Sequence, residues 1–128
     1  MAIVFHAHSG LRYLVLLAGI VAVIYYLVAL VRRSPFTRKS RLLLTIFVGL
    51  LDVQILLGLV LLVTRPFFPA IIGHLTMMIF AAAVAHAASI ANKRRPDTDR
   101  SHAVALAGTI LALVSIVAGI LAIGRPIV

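Results

Sequence analysis

Cysteine is absent from this chain, and only three acidic side chains, Asp52, Asp97 and Asp99, occur in its 128 residues. Without thiols there is no disulfide framework, no cysteine nucleophile, no iron–sulfur ligation and no covalently attached c-type haem. No phosphate-binding loop, zincin motif or serine or cysteine triad occurs either, which argues against soluble hydrolase chemistry.

What the chain has is apolar surface. Hydrophobic residues make up 63% of it, and the mean hydropathy is +1.19. A soluble domain of this length has nowhere to bury so much. The excess falls in four runs, residues 8–30, 42–63, 70–91 and 103–123. Each is about long enough as a helix to cross the ~30 Å hydrocarbon layer. Backbone groups must satisfy one another there, and the runs are too long and too evenly apolar for barrel strands. The expected fold is all-α: a single-domain integral membrane four-helix bundle with antiparallel up-down topology.

The net charge of +9 has a topological reading. Arg32, Arg33, Arg38, Lys39 and Arg41 fill the first connection, and Lys93, Arg94, Arg95 and Arg100 the third. The second carries only Arg65. By the positive-inside rule both basic connections face the cytoplasm and both termini lie outside. Anionic lipid headgroups are natural contacts for such loops, and no nucleic-acid partner is expected. The amino terminus lacks an early basic region and a small-residue cleavage site, so the first helix is expected to serve as the insertion signal.

Pro35, the Pro66–Pro69 bracket and the Pro96–Asp99 stretch punctuate the connections, and Asp99 or Ser101 is positioned to cap the fourth helix. The second and fourth helices end in related strings, "GLVLLVTRP" and "GILAIGRP", a faint parallel repeat. Two small-residue stripes, Gly108, Ala112, Ser115 and Gly119 on the fourth helix and Ala81, Ala85 and Ala88 on the third, predict close helix packing. A dimer or partner groove is the alternative use for them.

The polar residues inside these runs need their own explanation. His8, near the start of the first helix, and His74, near the start of the third, enter from the same face and lie at similar depth. Two imidazoles on facing helices are the usual ligand set of a bis-histidine b-type haem. His6 competes with His8 for that role, and Ala81 with the small faces offers room for a macrocycle. Arg12 shares a helical face with His8. It could answer a haem propionate or snorkel to the interface. Met77 and Met78 follow His74 as packing or as lining.

His86 lies about 18 Å further along the third helix than His74, too far to share its iron. With His102 it is a candidate for a second cofactor site, for a quinone contact or for a helix contact. Asp52, near the middle of the second helix, is costly in a membrane unless neutral, paired or hydrated. Its candidate partners are Arg12, His86 or a cofactor group, and a proton-carrying role toward a quinone is the functional alternative. Gln54 points elsewhere and belongs with Asp52 and His102 among the candidate polar-network residues.

The strings His8-Ser9-Gly10-Leu11-Arg12-Tyr13, Asp52-Val53-Gln54-Ile55-Leu56-Leu57-Gly58 and His74-Leu75-Thr76-Met77-Met78, together with His86, carry a resemblance. Over nearly its whole length the chain resembles small bacterial four-helix membrane proteins labelled cytochrome-b-like. The resemblance implies a bacterial inner-membrane bundle with haem b as cofactor, His8 and His74 as the preferred ligands, and His86 as a polar feature of the third helix. Glycine stands before His74 where that group has an acidic residue, which removes one contact beside the haem. The leading function is then membrane electron transfer, exchanging electrons with quinol or a respiratory partner. Its alternatives are a cofactor-free accessory subunit of a membrane complex, a homo-oligomer among the arrangements, and a small transporter or proton conductor centred on Asp52.

Overall fold

The computed structural model describes residues 2–64, 69–94 and 101–124. Four helices make up nearly all of it: α1 Ala2–Val31, α2 Arg38–Thr64, α3 Ala70–Lys93 and α4 His102–Ala122. All four are long and apolar enough to cross a membrane. They form an antiparallel up-down bundle in which α3 packs most extensively on α4, α1 lies against α2 and α4, and the α2–α3 seam is thinner.

The helices overrun the apolar stretches that signal them. α1 begins at Ala2 rather than at His8, and α2 takes in Arg38, Lys39 and Arg41. At 1.5 Å per residue α1 is about 45 Å long, half as long again as the hydrocarbon layer. Its ends therefore belong to the interface, where charged and polar residues continue a helix without cost. His8 thus stands in the second turn of α1 and has helix on both sides.

The first connection is closed by hydrogen bonds at both ends. Arg33 takes a left-handed conformation with φ 54°. Its N–H donates to the Leu30 carbonyl and that of Ser34 to the Ala29 carbonyl, the double bond pattern that ends helices, here with arginine in the position glycine favours. At the start of α2 the Thr37 N–H donates to Ser40 Oγ, which satisfies one donor of the first turn. Ser101 caps α4, accepting from the Ala103 N–H. The Asn92 side chain clamps the same residue at two points, donating to the Ser101 carbonyl and accepting from its N–H at 3.0 Å each. Asp99, the Pro66 turn, the remaining basic residues of the third connection and the end of the second repeat string lie outside the described residues.

Both small-residue stripes are spent inside the bundle, between α3 and α4. Ala81, Ala85, Gly108 and Ala112 are buried there, and a Cβ added to Gly108 would collide with that of Ala88. The expectation of close packing holds; a groove for an outside partner does not form at these stripes. Nor do Ala81 and its neighbours leave room for a macrocycle, because α4 occupies that space. The core continues through Val15, Ala22, Phe47 and Leu51. Large apolar side chains such as Leu17, Ile24, Leu56 and Val114 are exposed on the outer surface, as lipid contact requires.

Candidate functional site

At the end of the bundle where α1 and α3 begin, the helices leave a cavity of about 360 Å³, inside the roughly 300–1,000 Å³ range of small-molecule sites. Its polar lining is His8, Ser9, Arg12, Gln54 and His74, and its apolar wall includes Leu61, Leu62, Met78, Ile116 and Ile120. His8, Arg12, Gln54 and His74 are thus brought to one place from three helices. Met78 lines it, whereas Met77 does not. His6 is exposed and packs against Phe5, so His8 is the histidine of this pair that faces the cavity.

The two imidazoles are neighbours in an edge-to-face arrangement, with ring centroids 6.4 Å apart and planes at 82°. Each is held from behind. His8 Nδ1 donates to the Gln54 carbonyl at 3.1 Å, and His74 Nδ1 donates to the Gly119 carbonyl at 2.8 Å. Carbonyl oxygens only accept, so both Nδ1 atoms carry the proton of these bonds.

The glycines beside these rings have a physical reason. A Cβ on Gly58 would stand 3.1 Å from His8 Cε1, and one on Gly119 would stand 2.7 Å from Met78 Cε and 3.4 Å from the His74 carbonyl oxygen. Gly58 follows Gln54 by one helical turn, so the spacing of the two already pointed to one shared face. The carbonyl of Gly119 had no signal in the sequence.

Gln54 is buried, and its Nε2 donates to the His8 carbonyl at 2.7 Å. Its Oε1 is buried without a hydrogen-bond partner among the described residues, as is Arg12 Nε. Arg12 Nη2 donates to the Tyr13 hydroxyl at 2.8 Å, and the guanidinium carbon lies 4.7 Å from the Tyr13 ring centroid. Both residues line the cavity, and each holds one buried polar atom without a partner among the described residues.

Asp52 and His86 lie elsewhere. His86 Nε2 meets both carboxylate oxygens of Asp52, at 2.8 and 3.0 Å, on the outer surface of α2 and α3. Among the three partners considered for Asp52, this is the one formed. His86 does not line the cavity. The reason is its depth, about three helical turns beyond the cavity end where His74 stands.

His102 has partners of its own. It is buried at the basic-loop end of the bundle, where Nε2 shares a 2.7 Å hydrogen bond with Ser40 Oγ. Tyr26 donates to the Ser40 carbonyl at 2.7 Å, and Tyr25, Tyr26 and Phe36 surround the imidazole. Ser40 and Tyr26 were not singled out from the sequence, where a serine and a tyrosine at a helix end carry no distinguishing pattern.

Among the described residues no group of three or more His, Cys, Asp or Glu side chains is placed to hold a metal ion. A centre of the zinc or non-haem iron kind needs such a group, whereas a bis-histidine haem needs two. No family model, no curated protein and no solved structure matches the chain.

Proposed function

We propose that this membrane four-helix bundle binds one haem b between His8 and His74 and acts in electron transfer, as its resemblance to cytochrome-b-like proteins implies. The observation that carries the reading is the disposition of the two imidazoles. His8 and His74 would hold the haem iron from facing helices, which two imidazoles could do only if they stood close together. The separation here is 6.4 Å. Metal-ligating histidines also donate their other N–H to a carbonyl or carboxylate, which fixes tautomer and orientation. His8 and His74 both do so.

Haem, when bound, supplies the one-electron chemistry. The chain's residues do the rest. His8 and His74 present Nε2 as ligand atoms. The Gln54 and Gly119 carbonyls hold the rings against rotation. Arg12 Nε, buried and unspent, suits a carboxylate at the edge of the group, and the leucine and isoleucine wall excludes water. Quinol is the candidate electron donor from the lipid phase. In this reading the chain sits in a bacterial inner membrane with both basic connections in the cytoplasm. The cysteine-free sequence makes that testable by labelling a Ser34→Cys variant from either side.

A second reading, a cofactor-free accessory subunit, has its own support in the Asp52–His86 pair on the lipid-facing surface. An optical experiment separates the two. Protein purified under haem-replete conditions is scanned oxidised and dithionite-reduced, with pyridine-haem quantification. Sharp reduced b-type bands near one haem per chain, lost in His8→Ala and in His74→Ala, are the expected result. Absence of those bands from the folded wild-type protein overturns haem binding and leaves the accessory-subunit reading.

A further inference from the structure

Asp52 sits near the midpoint of α2, and in hydrocarbon it has no water to complete its hydrogen bonds. His86 is its one hydrogen-bonding partner among the described residues. The pair nevertheless remains 48% and 46% exposed on the outside of the bundle. Ionisable groups at this depth belong against protein or a water-filled cavity, because lipid offers neither donors nor acceptors. This bundle, taken alone, leaves half of the pair facing lipid.

We infer that the α2–α3 face is a dimer interface and that a second copy of this chain covers Asp52 and His86. The chemistry of the pair selects a copy of itself. His86 Nε2 is committed to its own Asp52, so Nδ1 is the ring nitrogen that a second copy would meet. Each carboxylate keeps lone pairs on its outer side. Copies of one chain insert in one orientation, so the twofold axis that relates them runs along the membrane normal and both pairs meet at one depth. Across that axis His86 Nδ1 of each copy meets the Asp52 carboxylate of the other. The result is a closed hydrogen-bonded ring of two imidazole and two carboxyl groups. A different partner would have to supply a donor and an acceptor in the same mirrored spacing.

The surface around the pair permits the approach. Gly49, one turn before Asp52, is exposed, and a Cβ added there meets nothing within 4 Å. Packing within one bundle therefore gives no reason for glycine at this position. Ala83 and Ala87 flank His86 on the same exposed surface. Small residues beside a polar contact are what allow membrane helices to come together.

The test uses the cysteine-free full-length chain in lipid vesicles. Gly49→Cys and Ala83→Cys are each oxidised beside Val114→Cys, whose position on α4 is exposed away from this face. Disulfide-linked dimers are expected at least fivefold faster from the first two. Asp52→Asn is expected to cut the dimer fraction several-fold, read by native mass spectrometry of the bilayer-extracted protein. The exchanged variant Asp52→His/His86→Asp keeps the complementarity and is expected to restore the dimer. Helix content by circular dichroism guards against misfolding of the variants. Equal, slow cross-linking at all three positions overturns the inference, as does a dimer that survives Asp52→Asn and His86→Phe unchanged. Haem content has no part in the readout, so this inference and the haem proposal fail separately.

Discussion

Gln54 and His8 hold each other at two points across the α1–α2 interface: Gln54 Nε2 donates to the His8 carbonyl and His8 Nδ1 donates to the Gln54 carbonyl. One helix therefore sets both the backbone position and the ring orientation of a histidine on another. The two bonds differ in what mutation can reach. The bond to the Gln54 carbonyl belongs to the main chain and survives any substitution there, whereas the bond from the amide does not.

Gln54→Leu should accordingly loosen α1 against α2 without removing the His8 ring contact. Interhelical hydrogen bonds in membranes are worth about 0.6 kcal/mol on average and up to about 1.7. A loss of about 1 kcal/mol is expected, because Oε1 is already without a partner and the removed amide strands little. Reversible unfolding in mixed micelles measures it. A loss above about 3 kcal/mol would mean that Gln54 carries more than this bond.

Glycines of α1 and α4 should respond oppositely to added bulk. Gly108 is buried against Ala88, and a Cβ there has no space. Gly108→Val should cost about 1–3 kcal/mol by forcing α3 and α4 apart. Gly10 is exposed, with nothing within 4 Å of an added Cβ. Gly10→Ala should be neutral or stabilising by up to about 1 kcal/mol, since alanine loses less backbone entropy in a helix. The same micelle titration compares the two, and equal effects would contradict this packing.

Ser40 ties α1, α2 and α4 together through His102 and Tyr26. Ser40→Ala leaves the buried His102 Nε2 and the Thr37 N–H without their partner, and should cost about 1–3 kcal/mol. His102→Phe removes the stranded group. The same serine change made in that background should therefore cost less, by about 1 kcal/mol or more in a double-mutant cycle. Additive effects would show that the two side chains do not interact.

Individual residues show how far the sequence could be read. His8 and His74 could be matched because both lie near the starts of helices that enter from one side, a depth argument that needs only helix rise and topology. Asp52 and Gln54 could be assigned to different directions from their two-residue spacing. Which direction met the cavity was not legible, because it depends on the rotation of α2 about its own axis. The small-residue stripes announced a close contact yet left its partner open, and α3 and α4 spend them on each other. Asn92 and Ser40 had no pattern to announce them. Their partners come from other helices and from the residue that caps α4, so no local spacing encodes the contact.

The sequence alone determined that the chain consists of four antiparallel membrane-crossing helices, because hydrocarbon thickness, helix rise and backbone hydrogen bonding leave few other structures for such runs. Tertiary structure alone decided which polar groups meet: His8 with Gln54, His74 with Gly119, Asp52 with His86, and His102 with Ser40. Depth is a one-dimensional property that a count along the chain supplies. Contact between helices also requires their rotation and separation, and these are set by how small side chains such as Gly108 and Ala88 pack across an interface.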